Sequence, residues 1–192
     1  YRQSHERLAS LDEALGREDR RTVPSPWEEV RDFFHYCDNY IDAIDRAAER
    51  VAREGIDAAA EAALAARKVV VRRADTGTLR HYDSETRLLT LSARADLPTQ
   101  RFQLLHQTAL LTQNDLLEAT LDLARFQTDT AREIARIGMA NYFAGAVLMP
   151  YTRFAEAARE TRHDLEQLSI LFGASIEQVA HRLSTLQRPG AK

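Results

Sequence analysis

Between residues 68 and 91 the apolar spacing of this chain changes from helical to extended and back, and that one excursion constrains the fold more than anything else. Lys68-Val69-Val70-Val71-Arg72-Arg73, Leu79 to Tyr82 and Arg87 to Leu91 read as three short strands, because β-branched and apolar residues are bracketed by turn formers. Asp75-Thr76-Gly77 supplies the first turn and Asp83-Ser84-Glu85 the second. The expected sheet is a small antiparallel meander. Either side of it the pattern is helical, so the class is α+β, mostly helical, with one three-stranded sheet.

Local signals place the helices. Leu8, Leu11 and Leu15 recur at helical spacing before Gly16, and residues 17–24 are charged and end in a proline, so 1–24 reads as an N-terminal helix and linker. Ser25, Pro26 and Glu28 form a capping-box start. The seam Val30, Phe34, Cys37, Ile41, Ile44, Ala48 and Val51 then predicts one long helix to about Arg53, with Gly55 as its stop and an alanine-rich helix over 57–66. After Pro98 six more helices are expected, at about 99–112, 114–126, 129–147, 151–160, 164–172 and 175–187. Asn114, Thr128, Asp164 and Ser175 stand at cap positions and Gly173 at a stop. Residues 25–188 form the second unit.

Composition narrows the function. With 26 Lys plus Arg against 29 Asp plus Glu the net charge is −3, which argues against a broad nucleic-acid contact face. Cys37 is the single cysteine, which excludes an internal disulfide and a Cys-rich metal centre, and suits a reducing compartment such as the cytoplasm. No apolar run of membrane-spanning length and no secretory leader stand in the sequence, and a start without Met is expected of an excised fragment.

The stretch Arg101 to Leu110 invites comparison with a zinc-protease helix, in which two histidines four residues apart bind one metal and a glutamate after the first takes a proton from bound water. Only His106 is present. Gln107 stands in the base position and Leu110 in that of the second ligand. Further on, Ile137-Gly138-Met139-Ala140-Asn141-Tyr142-Phe143-Ala144-Gly145 to Leu148-Met149-Pro150 resembles the second signature of the ImmA/IrrE metallopeptidase-like family. The family's glutamate ligand near the Ala-Asn pair is missing too, since Gly138 and Met139 precede that pair. The order of meander, histidine helix, Ala-Asn helix and Phe-Gly-Ala-Ser turn also matches, over about 60–188. The resemblance implies a degenerate, zincin-like peptidase fold with its metal site erased.

Val30 to Tyr40 and Ile134 to Phe143 are similar to the central sensor region of the short-chain fatty acid regulators of the PrpR and RamB type. That resemblance implies a non-enzymatic sensor of short-chain acyl-CoA, propionyl-CoA or acetyl-CoA, with no metal in this chain. It also implies DNA contact only through a flanking helix-turn-helix, and a Cys-bearing domain beyond. A homodimer is the expected assembly, and no membrane contact is expected.

An acyl-CoA pocket needs cations for phosphates and an apolar or aromatic slot. Lys68 and Arg72 share one strand face, with Arg67 and Arg73 close by, and Arg80 or Arg182 would be the place for the phosphates if these are not; charges on an edge strand that discourage aggregation explain the β-strand cations equally well. Phe33, Tyr36 and Tyr40 widen the apolar stripe of the long helix, to line a slot, to join a partner subunit, or simply to be buried on two sides. His106 and Tyr142 complete the candidates, with core packing as the competing explanation of both. Cys37, inside the seam, is expected to be inert. The helix pair spanning Leu168 to Leu183 has the outline of a DNA reader but too few cations for one. Two alternatives remain: a metallopeptidase recruiting His81 or His163, and a structural dimerisation domain.

Overall fold

The computed structural model describes residues 25–189, so the helix and linker expected over 1–24 lie outside the described residues. In chain order the elements are α1 (Pro26–Tyr36), α2 (Asp42–Arg53), α3 (Ile56–Ala66), β1 (Val70–Ala74), β2 (Arg80–Asp83) and β3 (Leu88–Ser92). Six helices follow: α4 (Leu97–Thr112), α5 (Asn114–Ala124), α6 (Asp129–Leu148), α7 (Tyr151–Glu160), α8 (Leu165–Phe172) and α9 (Ile176–Ser184).

The expected capping box is present, with the Ser25 hydroxyl accepting from the Glu28 amide and the Glu28 carboxylate accepting from the Ser25 amide. Ser175 with Gln178 repeats the box at α9, while Thr128 and Asp164 cap α6 and α8 by accepting from the Ala131 and Gln167 amides. Gly173 ends α8 with φ +59, the left-handed conformation that favours glycine there. Asn114 is not a cap: its side-chain oxygen accepts from Arg136 Nη2 at 2.6 Å, holding the start of α5 to α6.

The long helix expected over 25–53 is two helices. Asp38 and Asn39 take positive φ (52° and 57°), which short polar side chains tolerate, and the Asn39 amide donates back to the Phe34 carbonyl at 2.8 Å. The break preserves the seam, because Val30 on one side and Ile41, Ile44 and Ala48 on the other are all buried.

The sheet is mixed, not an antiparallel meander. Its order is β1-β3-β2, with β1 parallel to β3 and β2 antiparallel to it. The reason is burial on both faces: Leu89, Thr90, Leu91 and Ser92 of β3 are all buried, whereas β1 and β2 carry Arg72, Arg73, Arg80 and His81 and can only be edges. Strand β1 also begins two residues later than expected. Lys68 precedes it at φ +59 and shares no strand face with Arg72.

Helix α6 is the axis of the domain and packs against α1, α2, α4 and α5. Its alanines and glycines let the neighbours approach closely, and Met139, Phe143 and Val147 are fully buried among them. Each such side chain contributes roughly 1.5–3 kcal/mol by leaving water. At Gly138 the approach is tightest, since a Cβ there would sit 3.3 Å from the Phe34 ring.

Candidate functional site

Helices α4, α6 and α9 enclose a cleft of about 520 Å³, closed on one side by Phe34 of α1 and Asn39 of the break. Phe102 and Gln103 come from α4, Gly138, Asn141, Tyr142 and Gly145 from α6, and Gln178, His181 and Arg182 from α9. The walls therefore combine aromatic faces and amides with the Glu177 carboxylate at the start of α9. The two glycines add no side chain to the α6 wall, and nothing lies within 4 Å of a Cβ built at Gly145.

Arg182 is the one Lys or Arg in these walls, and it is already engaged. It donates to both Asp45 carboxylate oxygens (2.8 and 3.1 Å) and to the Met149 carbonyl (2.9 Å), with both charged side chains fully buried. Tyr142 donates to the same carboxylate at 2.6 Å and accepts from the Ile41 amide at 3.3 Å. Burial first, and then the Asp45 charge, push the Tyr142 phenol well above its ordinary value, so it stays a donor. Arg188 joins the network through Asp45, Glu49 and the Tyr40 hydroxyl.

Behind the α4 wall lies His106. Its Nδ1–H donates to Asn141 Oδ1 at 2.7 Å, and its Nε2 is buried without a hydrogen-bond partner. Burial, reinforced by the Arg80 charge and opposed by the Asn141 bond, moves its pKa down to about 4, so the ring is neutral near pH 7. Arg80 donates from Nε to Gln103 Oε1 at 3.2 Å and from Nη1 to Gln107 Oε1. This surrounding does not fit a metal ion. The position beside His106 that would carry a base is an amide bound to a cation, Leu110 offers no lone pair, and a guanidinium faces the ring. Among the described residues no three His, Cys, Asp or Glu side chains converge. His81 and His163 are exposed, on β2 and on the turn after α7.

Of the residues singled out from the sequence, Tyr142 lines the cleft and His106 lies directly behind it. Tyr40 is buried against Tyr151 and hydrogen-bonds Asp42, and burial followed by that bond raises its phenol to about 12. Phe33 packs on Phe34 and Phe126, away from the cleft walls, and Tyr36 is 90% exposed. Arg67, Lys68 and Arg72 are exposed around β1 and none lines the cleft. The Cys37 thiol is raised by burial and by Asp38, as its inert role requires. The second helix of the DNA-reader outline, α9, buries Val179 and Arg182 and turns His181 to the cleft, so that face is not free for a groove. Phe34, Phe102 and Asn141 were not marked from sequence as site residues, and Arg80 and Arg182 were marked only as the fallback place for the phosphates. For Arg80 the stronger signal is Gln100, Gln103 and Gln107 at helical spacing, a polar stripe facing Arg73 and Arg80.

A sheet followed by a histidine helix clasped to an Ala-Asn helix defines a peptidase-like domain. The chain belongs to the IrrE N-terminal-like domain family, whose sequence model matches residues 66–184. Its relatives are named as regulators. A propionyl-CoA carboxylase regulator of Cereibacter sphaeroides is 68% identical over all of this chain and 42% of its own length. The HTH-type transcriptional regulators PrpR and RamB of Mycobacterium tuberculosis are 41% and 37% identical, over 96% and 90% of this chain and 42% and 39% of their own lengths. The chain thus spans less than half of each. A solved structure, that of a Mycobacterium tuberculosis transcriptional regulator, superposes with a TM-score of 0.82 at 40% identity, covering 87% of this chain and 54% of that one.

Proposed function

We propose that this domain is the ligand-sensing part of a transcriptional regulator of short-chain fatty acid metabolism, and that it binds a short-chain acyl-CoA, propionyl-CoA or acetyl-CoA, in the cleft between α4, α6 and α9. The observation that carries this reading is an open cleft of about 520 Å³ in a peptidase-like fold whose base position is a glutamine bound to an arginine. Gln107 cannot take a proton from water, so the base step of a zinc peptidase has no group to perform it at that position. Aromatic and amide walls suit a thin acyl and pantetheine arm. The regulator names of the relatives, one of them for propionyl-CoA carboxylase, support the same direction. On this reading DNA is contacted by a flanking helix-turn-helix, the protein is cytoplasmic and dimeric, and ligand binding shifts the regulator between states through its difference in affinity for them.

The test is calorimetric titration of the 192-residue chain with propionyl-CoA, alongside Gly145→Leu. The leucine enters open cleft space from a helical position where it is favoured over glycine by roughly 0.5–1 kcal/mol, so the fold is kept while the cleft is filled. Binding by the parent chain and at least a tenfold loss in Gly145→Leu are expected. No heat from the parent at near-millimolar ligand, or equal affinity in both, refutes the reading.

A further inference from the structure

Six arginines among the described residues are at least half-buried, and five of them, Arg101, Arg132, Arg136, Arg182 and Arg188, have a carboxylate within ion-pair distance. Arg80 has none. Its protein acceptors are the amide oxygens of Gln103 and Gln107, which fix the guanidinium in place without neutralising it. Among the described residues its Nη2 has no acceptor, and it is not sealed from solvent. Gln103 is itself part of the cleft wall, as is Leu79 next to Arg80 in the chain, and Arg80 stands behind that wall without lining it.

A part-buried cation that keeps its charge without a counterion is costly unless something supplies the anion. Burial lowers the Arg80 pKa, and no neighbouring acid offsets that. Arg182 cannot serve, because Asp45 already occupies both of its carboxylate-facing nitrogens. The neutral His106 ring beside Arg80 adds no competing charge.

The geometry points to Arg80, held by Gln103 and Gln107 behind the α4 wall of the cleft, as an anion-binding group that takes an oxyanion of the ligand past Gln103: a phosphate of the nucleotide end, or the carboxylate of a free short-chain acid. For the identity of the ligand this rests on the acyl-CoA reading; for the existence of the anion site it does not. It also replaces the exposed β1 cations as the place where the charged end is held. Gln107 has a defined part in this, because a carboxylate there would neutralise Arg80 from within.

The experiment titrates the 192-residue chain and three variants with propionyl-CoA, propionyl-pantetheine, pyrophosphate and propionate, with melting followed in parallel. Arg80→Gln should weaken propionyl-CoA roughly 10- to 100-fold, the span of a charge-assisted contact, and leave propionyl-pantetheine within about twofold. Gln107→Glu should weaken the same ligand without lowering the melting temperature, and Arg80→Lys should recover part of the affinity. Pyrophosphate binding that is lost in Arg80→Gln assigns the phosphate, and propionate binding lost in that variant assigns the carboxylate. Equal losses for charged and uncharged ligands, or unchanged affinity in Arg80→Gln and Gln107→Glu, overturn the proposal. If the parent chain binds pyrophosphate through Arg80 but no acyl-CoA, the ligand reading fails and the anion site stands.

Discussion

Asp45→Asn tests the part of the structure on which the cleft's α9 wall depends. Asp45 is fully buried and accepts from Tyr142 at 2.6 Å, from Arg182 at 2.8 and 3.1 Å and from Arg188 at 3.4 Å. The amide is nearly isosteric, so packing hardly changes, but the Arg182 guanidinium, 2% exposed, is left without a counterion. Breaking a buried pair in this way costs about 3–5 kcal/mol. A domain of this size loses roughly 2–4 °C of Tm per kcal/mol, so a fall of about 6–20 °C is expected in thermal melts followed by circular dichroism. Urea titration should show a lower midpoint with an unchanged slope. The double variant Asp45→Leu/Arg182→Met removes both charges and should cost less than the sum of its singles, because the pair's attraction largely offsets its own desolvation. A single-variant loss under about 1 kcal/mol, or strict additivity of the two, would refute the argument that these charges sustain one another in a dry interior.

Two further outcomes are expected. His106 has a folded pKa of about 4 against an ordinary 6.5, so between those values the unfolded chain holds more protons than the folded one. Its contribution is complete above pH 6.5 and is lost as pH falls toward 4, about 3 kcal/mol in all at ~1.4 kcal/mol per pKa unit. His106→Gln should therefore flatten the decline in urea stability between pH 7 and pH 4.5, and parallel profiles would contradict the burial of a neutral ring. Gly173→Ala should lose about 1–2 kcal/mol through its positive φ alone, because the new Cβ would meet Arg101 Nη1 at an ordinary 3.6 Å. An unchanged urea midpoint would mean that the α8 stop tolerates any residue.

What the sequence discloses of this fold depends on how local the governing chemistry is. Ser25 with Glu28, Thr128, Asp164 and Ser175 were legible as caps because a cap involves only three or four consecutive residues. The break at Asp38 and Asn39 escaped because the turn keeps the buried seam in phase, and a periodicity argument cannot detect a turn that changes direction without changing which residues are buried. The Asp-Asn pair itself was the available sign. That break also explains why Phe33, Tyr36 and Tyr40 do not share one ligand-facing stripe: Phe33 and Tyr36 end α1, while Tyr40 already belongs to the entry into α2.

The same distinction applies to the site. Tyr142 and His106 were legible because the motifs around them fix a helix pair, and the His106–Asn141 bond joins that pair. Arg182 and Arg80 were legible only as spare cations, because their partners lie 137 and 27 residues away in sequence. Sheet order sits between these cases. Leu88-Leu89-Thr90-Leu91 is the one strand with apolar residues at consecutive positions and no charge, and this is the pattern of a strand buried on both faces. Reading the strands by their mutual competition for the centre, and not by their order along the chain, places β3 between two arginine-bearing edges. It thereby brings Arg80 over α4, against Gln103 and Gln107, the second of which stands where a peptidase helix would carry its base.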